Sequence, residues 1–149
     1  MALSSPSSAL AQATGLYFGI GDGAESGPFV ARIGVSPLPN GGVALDYEAT
    51  SREQGVQHVE HSLLAPGPDG CDLLYIAHSE SPFVMVMREA VAGEDRFVQV
   101  EPGGPYFMEV HIGVPATGEL TYAWWWAEAG GTPVEQSRAT VALRPRGSS

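Results

Sequence analysis

His58 and Glu60 are two residues apart, so on a regular strand they project to the same side while His61 projects to the other. That pairing suits a polar anchor in a ligand cavity, with the carboxylate orienting the imidazole. It also suits a proton relay. As a metal pair they would need a third ligand, which His78 or His111 could bring from another strand. The four histidines are scattered and no strong ligand spacing appears, so no metal is expected. The bland alternative is a solvated rim carrying surface histidines.

Two apolar stretches could serve the same cavity. In Tyr122-Ala-Trp-Trp-Trp126, Trp124 and Trp126 share a face with Tyr122, and Trp125 lies opposite. Stacked on a planar guest they would be ligand-binding; otherwise they fill the core or meet another subunit. Phe83-Val-Met-Val-Met87 places Phe83, Met85 and Met87 on one face, and with Met108 these could form a soft, greasy pocket. Core filling is the commoner use of such a run.

Other chemistries fall away. There is no Gly-x-Ser-x-Gly elbow, and no acidic pair is marked out by spacing as general acid and base. Cys71 stands beside Asp72, a poor setting for a reactive thiolate. Gly19-Ile-Gly-Asp-Gly-Ala24 formally matches a dinucleotide fingerprint, which requires a helix after it. The next residues, Glu25-Ser-Gly-Pro28, are acidic and end in a breaker. These glycines instead predict a sharply bent first strand.

The residues that hold such groups in place have a period of two. Runs rich in Val, Ile, Tyr, Phe and Trp cover 15–20, 28–35, 43–50, 56–65, 71–78, 83–90, 93–100, 106–114, 120–129 and 134–143. Between them lie turn-formers such as Pro66-Gly-Pro-Asp-Gly70 and Pro115-Ala-Thr-Gly118. No central segment carries a useful helical stripe. The fold class is therefore all-β: an up-and-down antiparallel barrel of about ten strands, which removes the edges that so few charges could guard. Residues 1–13 are expected to form a flexible leader or a short helix, residues 14–145 one barrel domain, and residues 146–149 a frayed tail.

A chain of 149 residues with 44% hydrophobic residues can close one core without staples. Its seven basic residues, all Arg, face 17 acidic ones, for a net charge of −10. That excess argues against nucleic acid and anionic lipid as partners. The single cysteine excludes an internal disulfide, and no apolar run is long enough to span a bilayer. A soluble, cytoplasmic protein is expected, with a homodimer as one way to cover exposed aromatics.

Several motifs together resemble the nitrobindin family. Gly15-Leu-Tyr17-Phe-Gly19-Ile-Gly21 is similar to the family's opening Gly-x-Trp-x-Gly-x-Gly, with Tyr17 in the Trp position. Gln57-His58-Val-Glu60 with Pro66 to Gly70 is similar to its His-x-Glu strand and the turn after it, and Leu74 to His78 to the next strand. Gly118 to Tyr122 and Thr132-Pro-Val134 are similar to its last hairpin, so the likeness runs over roughly residues 14–145. It implies a ten-stranded, lipocalin-like barrel of the fatty-acid-binding type holding haem b through a His of the last strand. It also implies reactivity with NO and isomerisation of peroxynitrite. Here Ser137 occupies that His position, and no His occurs after His111. A serine hydroxyl is a poor ligand for haem iron.

The expected function is a barrel that binds a small hydrophobic or planar ligand through His58, Glu60, Phe83, Met85, Met87, Met108, Trp124 and Trp126, without His-ligated haem. The alternatives are haem b-dependent peroxynitrite or NO chemistry, a cofactor-free cyclase or isomerase using His58 and Glu60, and a solid barrel presenting a patch around Trp125.

Overall fold

A computed structural model describes residues 5–100 and 105–145. Ten antiparallel strands come after one short helix: α1 (Pro6–Ala11), β1 (Gly15–Gly23), β2 (Gly27–Pro37), β3 (Val43–Ser51), β4 (Gly55–Pro66), β5 (Asp72–His78), β6 (Met85–Glu89), β7 (Arg96–Gln99), β8 (Tyr106–Gly113), β9 (Glu119–Glu128) and β10 (Val134–Leu143). Each strand pairs with its sequence neighbours, and β1 pairs with β10, so the sheet closes without an edge. This is the all-β closed antiparallel barrel that the spacing predicts.

Alternation decides which side chains enter the lumen. Along β2, Phe29, Ala31, Ile33 and Val35 are buried, while Val30, between two of them, is 56% exposed. Their neighbours on β3, Val43, Leu45, Tyr47 and Ala49, are buried in the same way. Gly19 and Gly21 serve the bend of β1 rather than any nucleotide. A Cβ on Gly19 would collide with the Thr140 carbonyl oxygen, and one on Gly21 with the Phe29 ring.

One end of the barrel is solid. Leu10, Tyr17, Leu64, Leu74, Ile76, Met87 and Phe97 fill it. Helix α1 packs there against β2, β3 and β4. Pro6 stands in its first turn, the Ser5 hydroxyl accepts from the Ser8 N–H, and Ser7 N–H donates to Asp72 Oδ2 at 2.6 Å. Part of the leader is therefore ordered as a helix; residues 1–4 and the tail 146–149 lie outside the described residues.

Two bulges break the period at the other end. The register shifts between Ala49 and Thr50 against β4, leaving Gln57 as the extra residue, and between Glu135 and Ser137 against β9, leaving Gln136 extra. A bulge adds one residue and re-aims its neighbours. Gln57 and His58 consequently both reach the cavity, as do Gln136 and Ser137.

Candidate functional site: an aromatic cavity over a buried carboxylate

The open end encloses a cavity of about 390 Å³, within the usual range for small-molecule pockets. Phe29, Tyr47, Met108, Trp124 and Trp126 supply its apolar and aromatic walls; Gln57, His58, His78, Glu80, Gln136 and Ser137 supply polar ones. A broader depression of about 640 Å³ lies against β1 and β10, lined by Ile20, Asp22, Glu135 and Arg138 among others. It has no ring-lined wall, so we take the smaller, aromatic cavity as the candidate site.

Beneath that cavity lies Glu60, with no exposed surface. Two donors from β9 and one group from its own strand converge on its carboxylate. Tyr122 Oη donates to Oε1 at 2.7 Å, Trp124 Nε1 donates to Oε2 at 3.0 Å, and His58 Nε2 lies 2.9 Å from Oε2. Such a carboxylate is tolerable in a core because its acceptor sites are used. Tyr47 stacks on Tyr122 with ring centroids 5.0 Å apart and meets the His58 ring edge-on. Burial, reinforced by the Glu60 charge, pushes the Tyr47 and Tyr122 phenols well above their ordinary value, so both remain neutral donors.

Around His58 the charges differ from those around His78. His58 Nδ1 lies 3.1 Å from Glu80 Oε2, so a carboxylate stands at each ring nitrogen. Burial by itself would lower the imidazole, but the hydrogen bonds and charges of Glu60 and Glu80 outweigh it and hold His58 above 6.5. His78, 5.5 Å from His58 between ring centroids and edge-on to Trp124, is lowered by burial, with the His58 charge adding to the effect and the carboxylates opposing it.

The two histidines should therefore titrate in opposite directions from 6.5, His58 above and His78 below. The stabilisation from protonated His58 is present below that value and is lost as pH rises through its raised pKa. The contribution of His78 has the other sign: it is present above the ordinary value and lost as pH falls. Long-range proton–nitrogen NMR across the titration checks the order; His78 protonating first on acidification would contradict it.

The residues singled out by sequence do not all meet here. Trp124, Trp126, Met108, His58 and Ser137 line the cavity, and Glu60 lies under it. Met85 is half-buried, its sulfur 3.3 Å from His78 Nε2. Met87 is fully buried in the core and is absent from the cavity wall. Phe83 is a correction: it is 78% exposed and precedes β6, because the Ser79–Pro82 turn delays pairing until Met85. Phe83 therefore shares no inward face with Met85 and Met87.

Trp125 points outward and stacks on His111 at 4.7 Å and 9°, so it is half-covered rather than the centre of a bare patch. The structure adds Phe29, Tyr47, Gln57, His78 and Glu80 to the ligand residues expected from sequence. Period two in β2 and β3 could have nominated Phe29 and Tyr47; Gln57 owes its place to a bulge that has no local signature.

No family model matches the chain, and no curated protein matches its sequence. Among the described residues no helix is long and apolar enough to cross a membrane. Among solved structures the chain is similar to Rv2717c from M. tuberculosis, with a TM-score of 0.62 and 18% identity over 97% of this chain and 100% of that one. At that identity the likeness shows the fold: a calycin-like closed barrel of ten antiparallel strands.

Proposed function

We propose that this barrel binds one small, planar or hydrophobic, uncharged molecule in the aromatic cavity. The observation that carries the reading is the wall itself. Phe29, Tyr47, Trp124 and Trp126 surround a space of about 390 Å³ that the packed core leaves open. Gln57 Oε1 is buried there without a partner among the described residues, so it is available to accept a hydrogen bond from the guest. Glu25 and Glu80 line the same space, and Arg is absent from its wall. Those carboxylates disfavour an anionic head group such as that of a fatty acid.

The resemblance to nitrobindins would make the planar guest haem b. The donor set does not fit an iron-ligated haem. Ser137 lines the cavity where that resemblance places the axial His, and both ring nitrogens of His58 already face carboxylates. A hydroxyl is a poor ligand for haem iron. The same engagement of His58 argues against a cyclase or isomerase base, which needs a free lone pair directed at substrate.

Titration with an uncharged polyaromatic, a fatty acid and hemin, monitored by tryptophan fluorescence and absorbance, tests this reading. Saturable quenching at one equivalent by the polyaromatic, with weaker binding of the fatty acid and no ligated-haem Soret band, is expected. A Soret band of ligated haem, or no saturable quenching by the polyaromatic, overturns it.

A further inference from the structure

We propose that His58, His78 and Glu80 form a binding site for a divalent transition-metal ion, of the Zn2+ class, at the rim of the cavity. Each of the three offers a ligand atom, and these atoms lie within 4.8 Å of one another. The residues come from the β4 strand and from the end of β5 with its adjoining turn, which the register brings together by placing Glu60 opposite His78. This site does not require the hydrophobic guest, since its ligands stand in the rim whether or not the cavity is filled.

Three features distinguish the cluster from an ordinary exposed group of charges. First, spacing: His58 Nδ1 and Glu80 Oε2 are 3.1 Å apart. Two ligands on a tetrahedral ion with bonds of about 2.0–2.1 Å stand roughly 3.3 Å apart, so this edge of the site is nearly formed. Second, support: the other nitrogen of His58 faces Glu60, itself fixed by Tyr122 and Trp124. A carboxylate behind a ligating imidazole sets its orientation and raises its basicity, the usual arrangement behind a histidine ligand. Third, freedom: the ring nitrogens of His78 make only long contacts, with the Glu80 N–H and Met85 Sδ, both 3.3 Å. Either nitrogen can turn to an ion at small cost, and Met85 is flexible enough to give way.

Charge favours the same conclusion. Glu60 and Glu80 flank one imidazole, and the whole chain carries −10, so a cation meets an attractive field. Two imidazoles and a carboxylate suit zinc and its neighbours rather than calcium or magnesium. Three protein ligands leave a fourth position open, facing the cavity, where water or a donor atom of a guest would complete the coordination.

The test uses the purified full chain, stripped with chelator and titrated with Zn2+ by calorimetry and with Co2+ by visible absorption. One equivalent of each is expected to bind, Co2+ giving the intense bands of a four-coordinate N/O site. Glu80→Gln alters an exposed side chain and should leave the fold intact by circular dichroism. It, and His78→Gln, should each weaken Zn2+ binding at least tenfold. The double variant His61→Ala, His111→Ala should not change it. Absence of stoichiometric binding, or binding that survives Glu80→Gln and His78→Gln but is lost with His61 and His111, overturns the proposal.

Discussion

Glu60→Ala is expected to destabilise the protein by about 3–5 kcal/mol, the scale for breaking one side of a buried, hydrogen-bonded charge cluster. The carboxylate is fully buried and receives Tyr122, Trp124 and His58 at 2.7, 3.0 and 2.9 Å. Removing it leaves three donors without an acceptor, two of them in a part of the barrel that water does not enter freely, and opens a void among them. Replacement by Gln keeps the shape and one acceptor oxygen but turns an amide N–H2 toward other donors. Its loss should be smaller, though still above about 1 kcal/mol. Urea unfolding monitored by circular dichroism measures both, and the alanine variant should melt at least several degrees lower. A loss below about 1 kcal/mol for Glu60→Ala would mean that the three donors find other partners, and that the network is not what seats His58.

Ala49→Phe should abolish binding of the cavity's guest, weakening it a hundredfold or more, which corresponds to about 2.7 kcal/mol. Ala49 is a cavity-wall residue, buried, and opposite His58 across the β3–β4 ladder. Its methyl group faces the open space, so an added ring would occupy the volume a ligand must use. Filling an existing void avoids most of the strain of overpacking, so stability should change by less than the roughly 1–3 kcal/mol that overpacking costs in a closed core. Fluorescence titration and a melting curve on the same preparation separate the two effects. A variant that still binds the polyaromatic with wild-type affinity would place the guest outside the barrel, for instance in the depression beside Ile20 and Arg138.

Much of the architecture is legible in the residues. The strand at Pro28 to Val35 and that at Val43 to Thr50 appear in the structure as β2 and β3 with their inward faces as alternation predicts. The turn at Pro66 to Gly70 falls between β4 and β5, as its Pro and Gly content requires. Phe83 shows the limit of such reading. Its alternation with Met85 and Met87 is perfect, yet Ser-Pro before it holds it out of the ladder, and it ends 78% exposed. Met87 alternates correctly too, but depth along the strand, not phase, decides that it fills the core while Met108 lines the cavity.

The sequence by itself determined that hairpins would close into a barrel, because period two and regularly spaced turn-formers are local properties that each stretch of chain expresses alone. It also determined that His58 and Glu60 would share a face, and that Trp124 and Trp126 would do so opposite Trp125. Only the tertiary structure decided what those faces meet. The bulges at Gln57 and Gln136 re-aim their neighbours, and closure carries Tyr122 and Trp124 to Glu60 across 62 and 64 residues of chain. The β4–β5 register sets His58 beside His78 and Glu80. These depend on pairings between distant strands, and no window of sequence contains both partners of such a contact.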